Sequence, residues 1–195
     1  MDLLDDKPRG RRNVFFLGLK RLVEPLAGYL EERFELAHLR VREVLRPPGA
    51  LSEGAFLRTC YRCGNCVDVC PARAIRKMSS GDPEQSGTPY IDPDLSACVV
   101  CEDLACMKAC PSGALKLVEG RGDIEMGLAR WKPRACLRTQ GDWCTLCVDK
   151  CPLGSTALSL GPAGEVQVHD AGCVGCGTCQ FYCPAVPKAI FVRPG

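Results

Sequence analysis

Sixteen of the 195 residues are cysteine, and they fall into four groups of four with none left over. The groups are Cys60, Cys63, Cys66 and Cys70; Cys98, Cys101, Cys106 and Cys110; Cys136, Cys144, Cys147 and Cys151; and Cys173, Cys176, Cys179 and Cys183. The first and fourth read C-x2-C-x2-C-x3-C-P, the second C-x2-C-x4-C-x3-C-P and the third C-x7-C-x2-C-x3-C-P, so that Pro71, Pro111, Pro152 and Pro184 each follow a final cysteine. Such spacing restricts the chain to folds in which short loops gather sulfurs. Only 6% of the residues are aromatic, so the apolar core beside those loops is expected to be thin.

A disulfide framework fits poorly. Such scaffolds are mostly short secreted chains, and eight bridges would give the fourfold C-P punctuation no purpose. A structural zinc scaffold is the other alternative, but zinc sites held by four thiolates usually split into two C-x2-C pairs a dozen or more residues apart. Three close thiolates followed by a fourth before proline form the bacterial ferredoxin run. There the first three hold one [4Fe-4S] cube and the fourth reaches a neighbouring one. All sixteen cysteines are therefore expected to bind cofactor iron, in four [4Fe-4S] clusters. The proline ends each curl of backbone by fixing its angle and removing an amide donor. The x7 gap of the third group demands a wider loop. Gly64, Gly172, Gly175 and Gly177 permit close approach and leave amides free for sulfur.

The pattern between the cysteines repeats. Short apolar stretches follow each proline at Ala74-Ile75, 114–118, 157–160 and 189–192, and comparable candidates precede the later groups at 89–92, 127–131 and 165–169, where Val166 and Val168 alternate with polar residues. The unit is strand, cysteine loop, short helix, strand. The expected class is α+β: a ferredoxin-like domain at 51–195 built of two dicluster modules, after a helical arm at 1–50. The spacing permits either neighbouring units to pair or the chain to nest.

Other chemistry finds little support. There is no dinucleotide or phosphate loop, no activated nucleophile and no carboxylate pair among the cysteines, so the expected role is electron transfer without catalysis of bond chemistry. A net charge of +2, from 25 basic and 23 acidic residues, gives no signal for nucleic acid. No run of 18 apolar residues occurs, so no transmembrane span is expected. His38 and His169 read as surface residues, Gly120 to Asp123 as a turn, the polar stretch 78–94 as a surface loop, and Trp131 and Trp143 as packing or cluster cover.

The phrases around the cysteines resemble the MauM/NapG family of ferredoxin-type proteins. They are Gly87-Thr88-Pro89-Tyr90, Cys101-Glu102-Asp103, the run from Met107 to Leu115, Met126-Gly127-Leu128-Ala129, and Gln140-Gly141 inside the x7 gap. The resemblance covers about residues 55 to 193. It implies four [4Fe-4S] clusters and a subunit that relays electrons between a membrane-bound iron-sulfur protein that oxidises quinol and a redox enzyme. A free cytoplasmic polyferredoxin serving a reductase or dehydrogenase is the alternative. The x4 gap of the second group is also similar to electron-transfer subunits of molybdopterin oxidoreductases. That likeness implies nesting, first unit with fourth and second with third.

Family members commonly begin with a twin-arginine export signal. Here Arg11-Arg12 precede an apolar core, 14–19, of only six residues before Lys20-Arg21, against the roughly 7–15 that a signal needs. The expectation is a cytoplasmic protein, or one peripheral on the cytoplasmic face of the membrane, with twin-arginine export to the periplasm as the alternative. Leu19, Leu22, Leu26, Leu30, Ala37, Val41 and Val44 recur at helical spacing, interrupted by Pro25. Mixed charge on the other faces, with 10 basic and 8 acidic residues in 1–50, favours docking on protein over lipid.

Overall fold

The computed structural model describes residues 44–195. The arm as far as residue 43, with Arg11-Arg12, Pro25 and His38, lies outside the described residues. Glycine and proline cut the rest into short elements: α1 (Glu53–Thr59), α2 (Asn65–Asp68), β1 (Ile75–Lys77), β2 (Pro89–Ile91), α3 (Ala105–Lys108), β3 (Gly127–Trp131), α4 (Leu146–Asp149), β4 (Leu158–Leu160), β5 (Val166–Val168), α5 (Thr178–Tyr182) and β6 (Ile190–Pro194). Four of the five helices begin inside a cysteine loop. Each strand candidate of the sequence meets an observed strand except 114–118, where a single bridge forms.

Pairing follows the chain. Antiparallel β1 and β2, in register Ile75 to Ile91, join the first unit to the second. The ladder that closes the same pair is reduced to the bridge between Ala50 and Leu115, flanked by Leu51 N–H donating to Ala114 O at 3.1 Å and Lys116 N–H to Gly49 O at 2.7 Å. In the second half β4 pairs with β5, and β3 with β6 over five residue pairs. The nested order, first unit with fourth and second with third, is therefore wrong: neighbours pair. The reason is chain economy. Only residues 161–165 separate β4 from β5, and so short a link closes a hairpin more readily than a long crossover.

Each pair of units has its own core. Phe56, Ile75, Ile91, Met107, Leu115 and Ile124 fill the first, and Ala129, Leu158, Val166, Ala185 and Ile190 the second. The separation is incomplete, since Val174 and Cys176 of the fourth loop pack into the first core. Residues 44–50, assigned to the arm by sequence, belong to this fold. Leu45 O accepts from Ile91 N–H at 2.8 Å, and Leu45 and Pro47 are buried.

Arg46 fixes this segment. It is a buried cation, 6% exposed, and its guanidinium donates to Thr88 Oγ1 and Pro89 O, both at 2.9 Å, while Nε donates to Glu53 Oε2 at 2.9 Å. Its planar group also lies 4.8 Å from the centre of the Phe56 ring. So tight a set of partners offsets the cost of burying the charge. Phe56, fully buried beneath it, is expected to cost about 3–5 kcal/mol on Phe56→Ala, which chemical unfolding followed by circular dichroism would read as an earlier midpoint.

Candidate metal centres

Three of the cysteine loops share a backbone device. In the first, Arg62 (φ 55°) and Gly64 (φ 95°) are left-handed; in the second, Val100 (φ 51°) and Leu104 (φ 50°); in the fourth, Gly175 (φ 70°) and Gly177 (φ 85°). Gly64, Leu104 and Gly177 sit immediately before α2, α3 and α5. In the first two loops the earlier left-handed residue turns its own amide back on the sulfur two positions before it. Arg62 N–H donates to Cys60 Sγ and Val100 N–H to Cys98 Sγ, each at 3.4 Å. A β-branched residue is rarely tolerated at such an angle, and strain of this kind persists where a site demands it. Gly175 is required for a second reason: a Cβ there would lie 2.5 Å from Gly127 O.

The third loop is built differently. A 3-10 turn at Pro133–Ala135 leads into Cys136 and the long gap winds into another at Leu137–Gln140, with Thr139 Oγ1 donating to Cys136 O at 2.7 Å and Arg138 Nε to Gly164 O at 2.5 Å.

These loops bring the sixteen sulfurs into four sets, each with three members from one loop and one from its partner. Cys60, Cys63, Cys66 and Cys110 line one cavity. Cys98, Cys101, Cys106 and Cys70 line another, and Cys136, Cys144, Cys147 and Cys183 a third. Cys173, Cys176 and Cys179 meet Cys151, each pushing on its neighbours' charge. Every cysteine singled out in the sequence is placed in one of these sets.

Burial is the main influence on the thiols. It lifts Cys66 and Cys147 to about 11 and Cys98 and Cys106 to about 12, with repulsion from neighbouring cysteines adding to it, and it raises Cys151, Cys176 and Cys179 as well. Buried thiols of this kind become thiolates when a cation compensates the charge. Cys110 is the exception: burial raises it, but the Ser112 hydroxyl and the amides of Leu115, Ser112 and Ala114 together outweigh that and hold it low. Further amides reach sulfur from Ala74 to Cys70 at 3.3 Å, and from Ala129 to Cys173 and Ala189 to Cys183 at 3.4 Å.

This donor set fits iron-sulfur cubes. Four thiolates around a single zinc ion, each about 2.3 Å from it, must crowd within about 4 Å of one another. Among the described residues no group of three or more cysteine, histidine or acidic side chains converges closely enough for a single ion. The sulfurs instead ring cavities, and one cavity carries an orphaned donor: Trp131, beside Cys136, Cys144, Cys147 and Cys183, has a buried indole N–H with no partner.

The sets also approach one another in a row. Cys106 feels the charge of Cys66, Cys98 that of Cys176, and Cys179 that of Cys147. At the middle step the two halves meet through cysteine backbone. Cys98 N–H donates to Cys176 O at 3.1 Å, and the buried Thr178 hydroxyl donates to Cys98 O at 3.0 Å. Gln180 Nε2 donates to Asp94 Oδ1 at 2.9 Å across the same contact. Sequence reasoning passed over Thr178 and Arg46. Thr178 lies between two cysteines, and a hydroxyl there was the available signal; nothing local marked Arg46.

Of the other residues read from the sequence, one departs from expectation. Trp131 lines a cavity, but Trp143 is 92% exposed and covers nothing, because the wide third loop projects it outward. Exposed His169 bonds Ser159 Oγ at 2.8 Å, and Gly120 to Asp123 forms a single turn. No described helix is long and apolar enough to cross a membrane.

Residues 59–114 match the 4Fe-4S dicluster domain family, the span occupied by the first two cysteine groups. A methylamine utilization ferredoxin-type protein MauM from Methylobacillus flagellatus is 40% identical over 97% of this chain and 85% of its own length. The ferredoxin-type protein NapG of Escherichia coli is 38% identical over 96% of this chain and 87% of its own. With sulfur sets, cavities and relatives in agreement, the chain belongs to the MauM/NapG family of ferredoxin-type proteins.

Proposed function

We propose that each of the four sulfur sets holds one [4Fe-4S] cube and that the chain is an electron relay, itself without catalytic chemistry. The observation that carries this reading is the exchange of the fourth cysteine between paired loops, which gathers four sets of sulfur, each drawn from two loops and three of them ringing a cavity. A bound cube supplies a one-electron couple whose potential depends on charge, burial and hydrogen bonds to sulfur. The chain supplies the rest: amides at Arg62, Ala74, Val100, Leu115, Ala129 and Ala189 stabilise negative charge on sulfur, and the burial of six cysteines with the partial burial of nine more restricts water. The row of approaches through Cys66 and Cys106, Cys98 and Cys176, and Cys179 and Cys147 supports passage along all four sets, with the outer two as the ports.

By resemblance, the donor is a membrane iron-sulfur protein that oxidises quinol and the acceptor a redox enzyme, with residues 1–42 as the docking arm. The amphipathic pattern runs from Leu19 to Val44, whereas Leu45 and Arg46 serve the fold.

Anaerobically prepared protein is expected to be brown and to contain close to sixteen iron atoms per chain, by colorimetric iron analysis; colourless protein with stoichiometric zinc would sink the proposal. Cys70→Ser is expected to disturb the cube held by Cys98, Cys101 and Cys106, seen as one altered component in the reduced electron paramagnetic resonance spectrum. A change confined to the cube of Cys60, Cys63 and Cys66 would contradict the exchanged ligand. Deleting residues 1–42 should move the protein from the membrane to the soluble fraction with its iron unchanged, and undiminished membrane binding would refute the docking arm.

A further inference from the structure

Trp131 presents a problem that its packing does not solve. It closes β3 opposite Ile190 of β6, and its indole lines the cavity ringed by Cys136, Cys144, Cys147 and Cys183. Its Nε1 is buried, yet among the described residues it is the one buried side-chain nitrogen or oxygen with no hydrogen-bond partner. Indole N–H can only donate, and buried donors almost always find an acceptor. Water is a poor candidate, because the neighbouring side chains of the cavity other than the cysteines, such as Leu137, Ala185 and Ile190, are apolar, and an ordered water needs two to four polar partners. The acceptors that the cavity does provide are sulfurs, which carry negative charge once the thiols have released their protons to bind iron.

We propose that Trp131 donates its indole N–H to a sulfur of the cluster at this site, and so sets the potential of this outer member of the row. The inference rests on the proposed [4Fe-4S] cube in that set. A donor to sulfur favours the reduced, more negative form and therefore raises the potential. Trp131 is thus a positioning and tuning residue for one centre. The third loop contains the chain's other tryptophan, Trp143, which is exposed and serves as an internal control.

The test uses the loaded full-length protein. Trp131→Phe keeps an aromatic ring and removes the donor. Redox titration followed by electron paramagnetic resonance is expected to show one of four midpoint potentials moved downward and three unmoved, with iron content at the wild-type level. Trp143→Phe is expected to move none, and ultraviolet resonance Raman of that variant, where Trp131 is the sole tryptophan, should report a hydrogen-bonded indole N–H in loaded protein. Full iron with four unshifted potentials in Trp131→Phe overturns the inference, as does an unbonded N–H in loaded Trp143→Phe; the second measurement decides the matter even if Trp131→Phe does not fold. Wild-type protein with about twelve iron atoms, lacking the cube of Cys136, Cys144, Cys147 and Cys183, would instead remove the functional reading on which the inference stands.

Discussion

Everything in this fold follows from the exchange of one sulfur between paired loops. A loop that supplies three cysteines to its own set and sends the fourth to its neighbour cannot be complete alone. Cys70 and Cys110 cross between the first two loops, and Cys151 and Cys183 between the last two. The strand pairs are the framework that holds each crossing in place: β1 with β2 brings Cys70 toward the second loop, and β3 with β6 brings Cys183 toward the third. Sheets of two strands and helices of one turn are weak by themselves. Sulfur sets therefore take the structural place that aromatic side chains fill in a larger core.

Buried sulfur also explains where polar groups sit. Seven of the thiols are raised by burial, so the metal-free fold favours them protonated, whereas binding iron requires thiolates. Amides aimed by left-handed residues are the answer that the backbone provides. Val100 shows the strength of the demand, since a valine accepts φ 51° in order to point its amide at Cys98. At Cys110, a hydroxyl and three amides prevail over burial altogether.

Much of this was legible in the sequence, and the physical reasons for the rest are specific. Cysteine spacing is a local signal, and it located the loops, the short helices that open within them and the strands on either side. Pairing between units is a long-range property, so spacing left it open. A likeness in one gap of the second group then pointed to nesting, which the registers of β1 with β2 and β4 with β5 contradict. The arm boundary at residue 50 rested on a local helical pattern, but Pro47-Pro48-Gly49 lead into a bridge with Leu115, and Arg46 makes its bonds with Thr88 and Pro89, far along the chain. Tryptophans near cysteines looked alike in sequence; only the path of the long third loop separates exposed Trp143 from Trp131 at its cavity.

The junction between the halves is made by the cysteines' own main chain. Cys98 and Cys176 share a backbone hydrogen bond, and Thr178, one residue from Cys179, closes on Cys98 from the other side. A hinge at that place would have to drag two of the sulfur sets with it. The two halves thus lack the independence that usually lets duplicated modules drift, be exchanged or swing apart: loosening the joint and damaging the centres are the same event, and the distance between the middle pair is inherited as a fixed property of the chain.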